Sequence, residues 1–181
     1  MEIRQSTESD RCGILEIHQH AFGDDKGSVI AKLVDDLMHD TTAMPVLSLV
    51  AVEGKRLVGH VLFTKAEVNG ADVPLSAQIL APLAIIPDSQ KGGVGLQLIN
   101  EGLEQLKQAG VDFVFVLGHA DYYPRCGFRP AGSLGLSAPY PIPEEHAGAW
   151  MVQELNHNYL GQVKGTVQCS QALSEPQHWR E

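Results

Sequence analysis

In the stretch IIPDSQKGGVGLQLI, residues 85–99, the hydrophobic period changes abruptly. An apolar run from Ile79 to Ile86 stops at Pro87, and Asp88, Ser89, Gln90 and Lys91 follow. Gly92, Gly93 and Gly95 come next, and a helical stripe begins at once with Val94, Leu98, Ile99, Leu103 and Leu106. This pattern predicts a buried strand, a glycine-rich turn and an amphipathic helix that ends near Gly110. The first N–H groups of a helix have no partner within it, and the helix dipole places a partial positive charge there. Such a junction is an anion site suited to phosphate. Glycine removes the Cβ atoms that would hold a diphosphate away, and it permits positive φ. The loop QKGGVG is therefore expected to hold a phosphorylated ligand on its main chain. The plainer alternative is a tight turn whose glycines serve packing.

Two common phosphate loops do not match. A Walker A loop needs Lys followed by Ser or Thr after its glycines, and none follows here. A dinucleotide fingerprint GxGxxG begins at Gly93-Val94-Gly95, but its third position is Leu98. The acidic residue expected at the end of the next strand is also missing, because Asp112 stands at that strand's beginning.

The remaining chain gives the setting. It has 181 residues, 44% of them hydrophobic, enough for one domain with a core. A net charge of -9 repels phosphate backbones, so nucleic acid is not expected as a partner, and amines are weakly favoured. Cys12, Cys126 and Cys169 are odd in number and widely spaced, which supports neither a disulfide framework nor a zinc knuckle. MEIRQSTESD does not read as a signal peptide, and no apolar run approaches the roughly 20 residues of a membrane helix. A cytoplasmic protein with no membrane partner is the expectation.

Periodicity predicts a short strand at 1–4, a capping box at Thr7–Asp10, a helix to about Gly23 and a second helix over 28–39. Strands are expected at 46–52, 57–68, 73–86 and 111–117, with Asn69-Gly70 as a hairpin turn and Pro74 and Pro82 as interruptions. GHADYYPRCGF, 118–128, pairs aromatics with a turn; Trp150–Leu155 reads as a late strand. The result is a single mixed α/β domain over 1–181, with a core to residue 160 and a C-terminal tail, 161–181, of unassigned structure.

Gln90, Gly93 and Gly95 meet the pattern [QR]xxGx[GA], and here the chain resembles the GNAT superfamily of acetyl-CoA-dependent N-acetyltransferases. LAPLAIIPDSQKGGVGLQLINEGL is similar to the family's acetyl-CoA motif, and YYPRCGF to its second signature, an aromatic shortly before Gly-Phe. HAFG, LVGHVLF and VFVLGHADYYPRCGF resemble the YhbS-like branch. The resemblance implies a mostly antiparallel sheet flanked by helices, with splayed central strands. It implies that the pyrophosphate of coenzyme A rests on the amides of Gln90, Lys91, Gly92, Gly93, Val94, Gly95 and Leu96. It implies that the pantetheine arm pairs with Leu83, Ala84 and Ile85, one of whose N–H groups polarises the thioester carbonyl. Tyr123, four residues before Gly127, takes the place of the family's general acid, with Tyr122 as the neighbouring alternative. Homodimers are common in this fold and are expected by that analogy alone.

The general base is less legible. The strand 78–86 has no carboxylate, whereas many family members use one there. His119 suits neutral pH and lies near Tyr123, although a histidine that only serves a turn is the commoner case. His60, Glu53 and Glu67 are weaker candidates, and Asp88 reads as a turn residue. Cys126 reads as a small core hydrophobe. His18 and His20 fall on different helix faces, so no metal is expected. In this fold the acceptor pocket is built by the early helices and the late irregular segment, here 21–44 and 134–150. Asp24, Asp25, Glu144 and Glu145 are the carboxylates available to a cationic acceptor. The expected function is acetyl transfer from acetyl-CoA to a small-molecule or peptide amine. A catalytically weak acetyl-CoA sensor or partner-binding module on the same fold is the alternative.

Overall fold

The computed structural model describes residues 1–180. Among the described residues nine strands form one sheet: β1 (Glu2–Gln5), β2 (Leu47–Glu53), β3 (Arg56–Asn69), β4 (Ala77–Ile85), β5 (Phe113–Leu117), β6 (Arg129–Pro130), β7 (Leu136–Ser137), β8 (Trp150–Glu154) and β9 (Gly165–Cys169). The order is β1-β2-β3-β4-β5-β8-β6, with β9 beside the end of β3 and β7 beside β9. Neighbours are antiparallel except for β4 with β5 and β7 with β9.

Helix α1 runs Arg11–His39, and its conformation breaks at Gly23 (φ 77°, ψ -176°). The two helices read from the periodicity are thus two halves joined at that glycine. Helix α2 is Val94–Gln108, and its buried stripe includes Val94, Leu98, Ile99, Leu103 and Leu106, as the period dictates.

Alternation along the strands sends side chains to two faces. Val61, Phe63, Leu80, Val114 and Val116 pack with Leu98, Ile99 and Leu103 of α2. Leu62, Ile79, Phe113, Phe115 and Val152 pack with Leu33 and Leu37 of α1 and with Leu173 and Trp179 of the tail. Trp179 meets Trp150 edge-on at 5.6 Å and donates from Nε1 to Leu173 O at 2.8 Å. The tail therefore joins the core.

Two strand expectations change. Asn69-Gly70 does not close a tight hairpin, because β4 begins only at Ala77. The last residues of β3, Ala66–Asn69, pair with β9 instead, and Pro74 can donate no ladder bond. Pro82 does mark a bulge: Val61 faces Leu83 and Phe63 faces Leu80, so β4 carries one extra residue at Ala81-Pro82.

Candidate active site

The bulge coincides with a divergence of the central strands. Pairing of β4 with β5 ends at Leu80 and Val116, while β4 continues along β3 to Ile85. Ile86 N–H donates to Val58 O at 3.0 Å. Antiparallel alternation then turns the main-chain groups of Ala84 toward β3 and those of Leu83 and Ile85 toward the gap. A row of strand donors and acceptors thus faces open space between two splayed strands.

That row leads into the first turn of α2. Gly93 caps the helix at φ 82°, a left-handed conformation that a side chain would strain. Lys91 adopts φ 66°, rare for a residue other than glycine. The first helical bond runs from Gln97 N–H to Gly93 O at 3.1 Å, which leaves the amides of Val94, Gly95 and Leu96 pointing outward. The glycines differ in role. A Cβ on Gly95 would lie 2.2 Å from Tyr122 Oη, whereas on Gly92 it would meet only Ser89 O at 3.6 Å. Gln90 is not a free donor in this loop. Its N–H goes to Pro87 O at 3.3 Å, and its side chain braces the loop by donating to Ile85 O at 2.9 Å.

Across the gap, β5 ends at Leu117, and Gly118 follows. A Cβ there would come within 2.3 Å of the Tyr123 ring, so this glycine lets the ring edge come close to the strand end. Tyr123 is buried and makes edge contacts with Tyr122 at 5.3 Å and Phe128 at 5.8 Å. Burial raises its pKa well above that of a free phenol, with smaller contributions from Tyr122 and Cys126. Tyr122, half-buried, is raised by burial as well. Both tyrosines keep their protons at neutral pH. Arg125 sits over the Tyr122 ring at 5.8 Å.

These parts line one cleft of about 900 Å³. Leu83, Ala84 and Ile85, Lys91, Gly93 to Leu96, His119, Tyr122 and Tyr123 all reach it. His119 is exposed, and its carbonyl accepts the Tyr122 N–H at 3.0 Å. Asp88 pairs with Arg56 at 3.5 Å and Glu67 with Lys65 at 3.1 Å; neither they nor Glu53 line the cleft. Cys126 is buried, as a core hydrophobe would be, and burial raises its thiol pKa. The expected outer wall is half corrected. Ala21, Phe22, Val29, Ile30 and Leu33 of α1 form one side, but the other side is Leu173 and Gln177 to Arg180, not the segment 134–150. The tail fills that place because its Trp179 anchors it on Trp150. Of the four carboxylates expected near an acceptor, only Asp25 lines the cleft.

Behind the wall lies a buried polar chain with no local sequence signal, its histidines 42 positions apart. His18 Nε2 lies 2.7 Å from His60 Nδ1, and His60 Nε2 lies 2.8 Å from Ser48 Oγ. His18 Nδ1 has no partner among the described residues. To avoid a buried orphan N–H, His18 Nε2–H donates to His60, His60 Nε2–H donates to Ser48, and His18 Nδ1 keeps a bare lone pair. Burial lowers the pKa of His18 to about 3 and holds His60 well below its usual value, so both are neutral. Among the described residues no group of three or more His, Cys, Asp or Glu side chains is placed to hold a metal.

An open strand edge thus leads into a helix start that no side chain caps, and residues 2–131 match the acetyltransferase (GNAT) domain. The chain belongs to that family and is an acetyltransferase by that membership. It is 49% identical over 164 residues to the N-acetyltransferase YjhQ of Escherichia coli strain K12, covering 90% of this chain and 88% of that protein. It is 32% identical over 169 residues to E. coli K12 YhbS, covering 93% and 95% of the two chains. The crystal structure of E. coli YhbS in complex with CoA superposes with a TM-score of 0.85 at 30% identity, over 96% of this chain and 92% of that one. A GNAT family acetyltransferase from Brucella melitensis in complex with acetyl-CoA gives a TM-score of 0.74 at 26% identity, over 95% and 97%.

Proposed function

We propose that this protein transfers an acetyl group from acetyl-CoA directly to a primary amine, and that the cleft between β4 and β5 is the site of transfer. One observation carries the reading: the edge of β4 at Leu83 and Ile85, left by β5 and engaged only where Gln90 donates to Ile85 O, lines the same cleft as Tyr123 and runs into the open amides of α2. Coenzyme A supplies the diphosphate, the amide-bearing arm and the thioester. The amides of residues 91–96 receive the diphosphate, and Lys91 adds a charge-assisted contact. The main-chain groups of Leu83 and Ile85 extend the sheet by pairing with the arm's amides. One of their N–H groups stabilises the negative charge that develops on the attacked carbonyl oxygen.

The acceptor ammonium loses a proton to water or to a nearby base before its nitrogen attacks. His119, Asp25 and His178 are the cleft groups on hand for that step. As the C–S bond breaks, Tyr123 gives its Oη proton to the departing sulfur and regains one from solvent, while the nitrogen, now bonded to the acetyl carbon, releases its second proton to solvent. A phenol held above its usual pKa is protonated throughout the neutral range, as this step requires. The reading also includes a single domain and a cytoplasmic setting. The tail's place in the core supports the first, and three free cysteines support the second.

Release of thiol from acetyl-CoA, followed over a panel of amines, tests the reading with Tyr123→Phe beside the wild type. The variant keeps the ring packing and should bind coenzyme A unchanged while turnover falls about 10²-fold or more. Unchanged turnover would remove Tyr123 as the acid. Binding of coenzyme A without thiol release from any amine would favour the sensor reading.

A further inference from the structure

The cleft inverts the charge of the molecule. The chain has 22 acidic and 13 basic residues, yet among the described residues the lining contains Lys26, Lys91, Arg125 and Arg180 against one carboxylate, that of Asp25. Lys26, Lys91 and Arg125 form no ion pair among the described residues. The cations fall into two groups. Lys91 and Arg125 belong to the glycine loop and to the turn at Tyr123, on the α2 face of the sheet, where the proposed diphosphate site lies. Lys26 belongs to α1 and Arg180 to the tail, the two segments that form the outer wall of the cleft. The phosphates at the first mouth leave this second pair without a ligand.

Beside the second pair, Val29, Ile30, Leu33, Leu173 and Trp179 give the walls an apolar body, with Gln177 and His178 as their polar members. The neighbouring depression on the outer side of α1 is acidic, but its Asp35 and Asp36 are held by Arg11 at 2.7 Å and Lys32 at 2.5 Å, Asp40 accepts from the N–H groups of Thr42 and Ala172, and Glu175 lies 3.9 Å from His178. A polycation would find few free carboxylates in either place.

We infer that the acceptor is a primary amine that also carries an anionic group on an apolar body, in the manner of a hydrophobic amino acid. This rests on the acetyl-transfer reading above. Lys26 and Arg180 hold the anion, the apolar walls hold the body, and Asp25 meets the ammonium. A carboxylate or a phosphonate would satisfy the same pair.

Matched amines test this. Phenylalanine is compared with phenethylamine, leucine with 3-methylbutylamine, and spermidine stands for polycations. Thiol release gives turnover, and calorimetry on the coenzyme A-saturated protein gives binding independently of turnover. The acidic member of each pair should have a kcat/KM or an affinity at least about tenfold higher, the size of one charge-assisted hydrogen bond. The double variant Lys26→Gln/Arg180→Gln should erase that preference through KM or Kd while acetyl-CoA still binds. Equal or better use of the uncharged-side amines or spermidine overturns the inference, as does failure of both acidic amines to bind. If the acidic amines bind but no amine is acetylated, the inference stands and the transfer reading falls.

Discussion

Gly95→Ala places a methyl group 2.2 Å from Tyr122 Oη, and the next contacts, Tyr122 Cζ at 3.4 Å and Leu83 Cδ2 at 3.6 Å, are ordinary. One atom therefore carries the whole clash. Overpacking of this kind costs about 1–3 kcal/mol. Alanine for glycine inside a helix returns roughly 0.5–1 kcal/mol. The variant should be less stable by about 1 kcal/mol, and the displaced hydroxyl should weaken coenzyme A binding at the loop. Tyr122→Phe alone removes a half-buried hydroxyl and should change stability by less than about 0.5 kcal/mol. Combined, Gly95→Ala/Tyr122→Phe has no clash and keeps the helix gain, so it should recover to wild-type stability or slightly above. The coupling, about 1–2 kcal/mol, is read from urea denaturation of the four proteins and accompanied by coenzyme A calorimetry. Additivity within about 0.5 kcal/mol, the usual behaviour of independent sites, would refute the reasoning.

Lys91→Gly relieves a left-handed backbone that costs a side chain about 1–2 kcal/mol, partly offset by the greater freedom of the unfolded chain. It should be slightly more stable by thermal denaturation, yet bind coenzyme A more weakly and with a shallower salt dependence. The buried histidine pair makes stability depend on pH. His18 has a folded pKa of about 3 against about 6.5 when unfolded, so below pH 6.5 the unfolded state takes up protons that the folded state refuses. Its contribution is intact above that value and falls as pH drops from 6.5 toward 3. The loss for His18 alone is about 1.4 kcal/mol at pH 5.5. Urea midpoints at pH 7.5 and 5.5 measure it, and His18→Gln should flatten the difference; an unaltered slope would show that other groups dominate.

The parts of this protein that were legible in the sequence are those fixed over short range. The strand, turn and helix of 79–108 follow from a change of period and from glycines whose backbone needs are local. Gly93 takes positive φ at the helix cap. Tyr123 could be placed by its spacing to Gly127 because both lie in one turn, which Gly127 ends at φ 93°. The break of α1 at Gly23 was visible for the same reason. Where long-range pairing intervened, local signals misled. Asn69-Gly70 has the chemistry of a hairpin, but β9 claims the end of β3 from nearly a hundred residues away.

The composition and periodicity of the chain by themselves determined a mixed α/β architecture, its glycine-rich loop and its aromatic turn, because backbone propensity and side-chain period act within a few residues. Only the tertiary structure decided that β4 and β5 part beyond Leu80, and that the unreadable tail, not the segment 134–150, walls the cleft through Trp179 on Trp150. The tertiary structure alone also decided that His18 and His60 share a hydrogen bond, and that four cations converge on one cleft of an acidic protein. These outcomes depend on which distant segments come to share buried surface, and no local pattern carries that information.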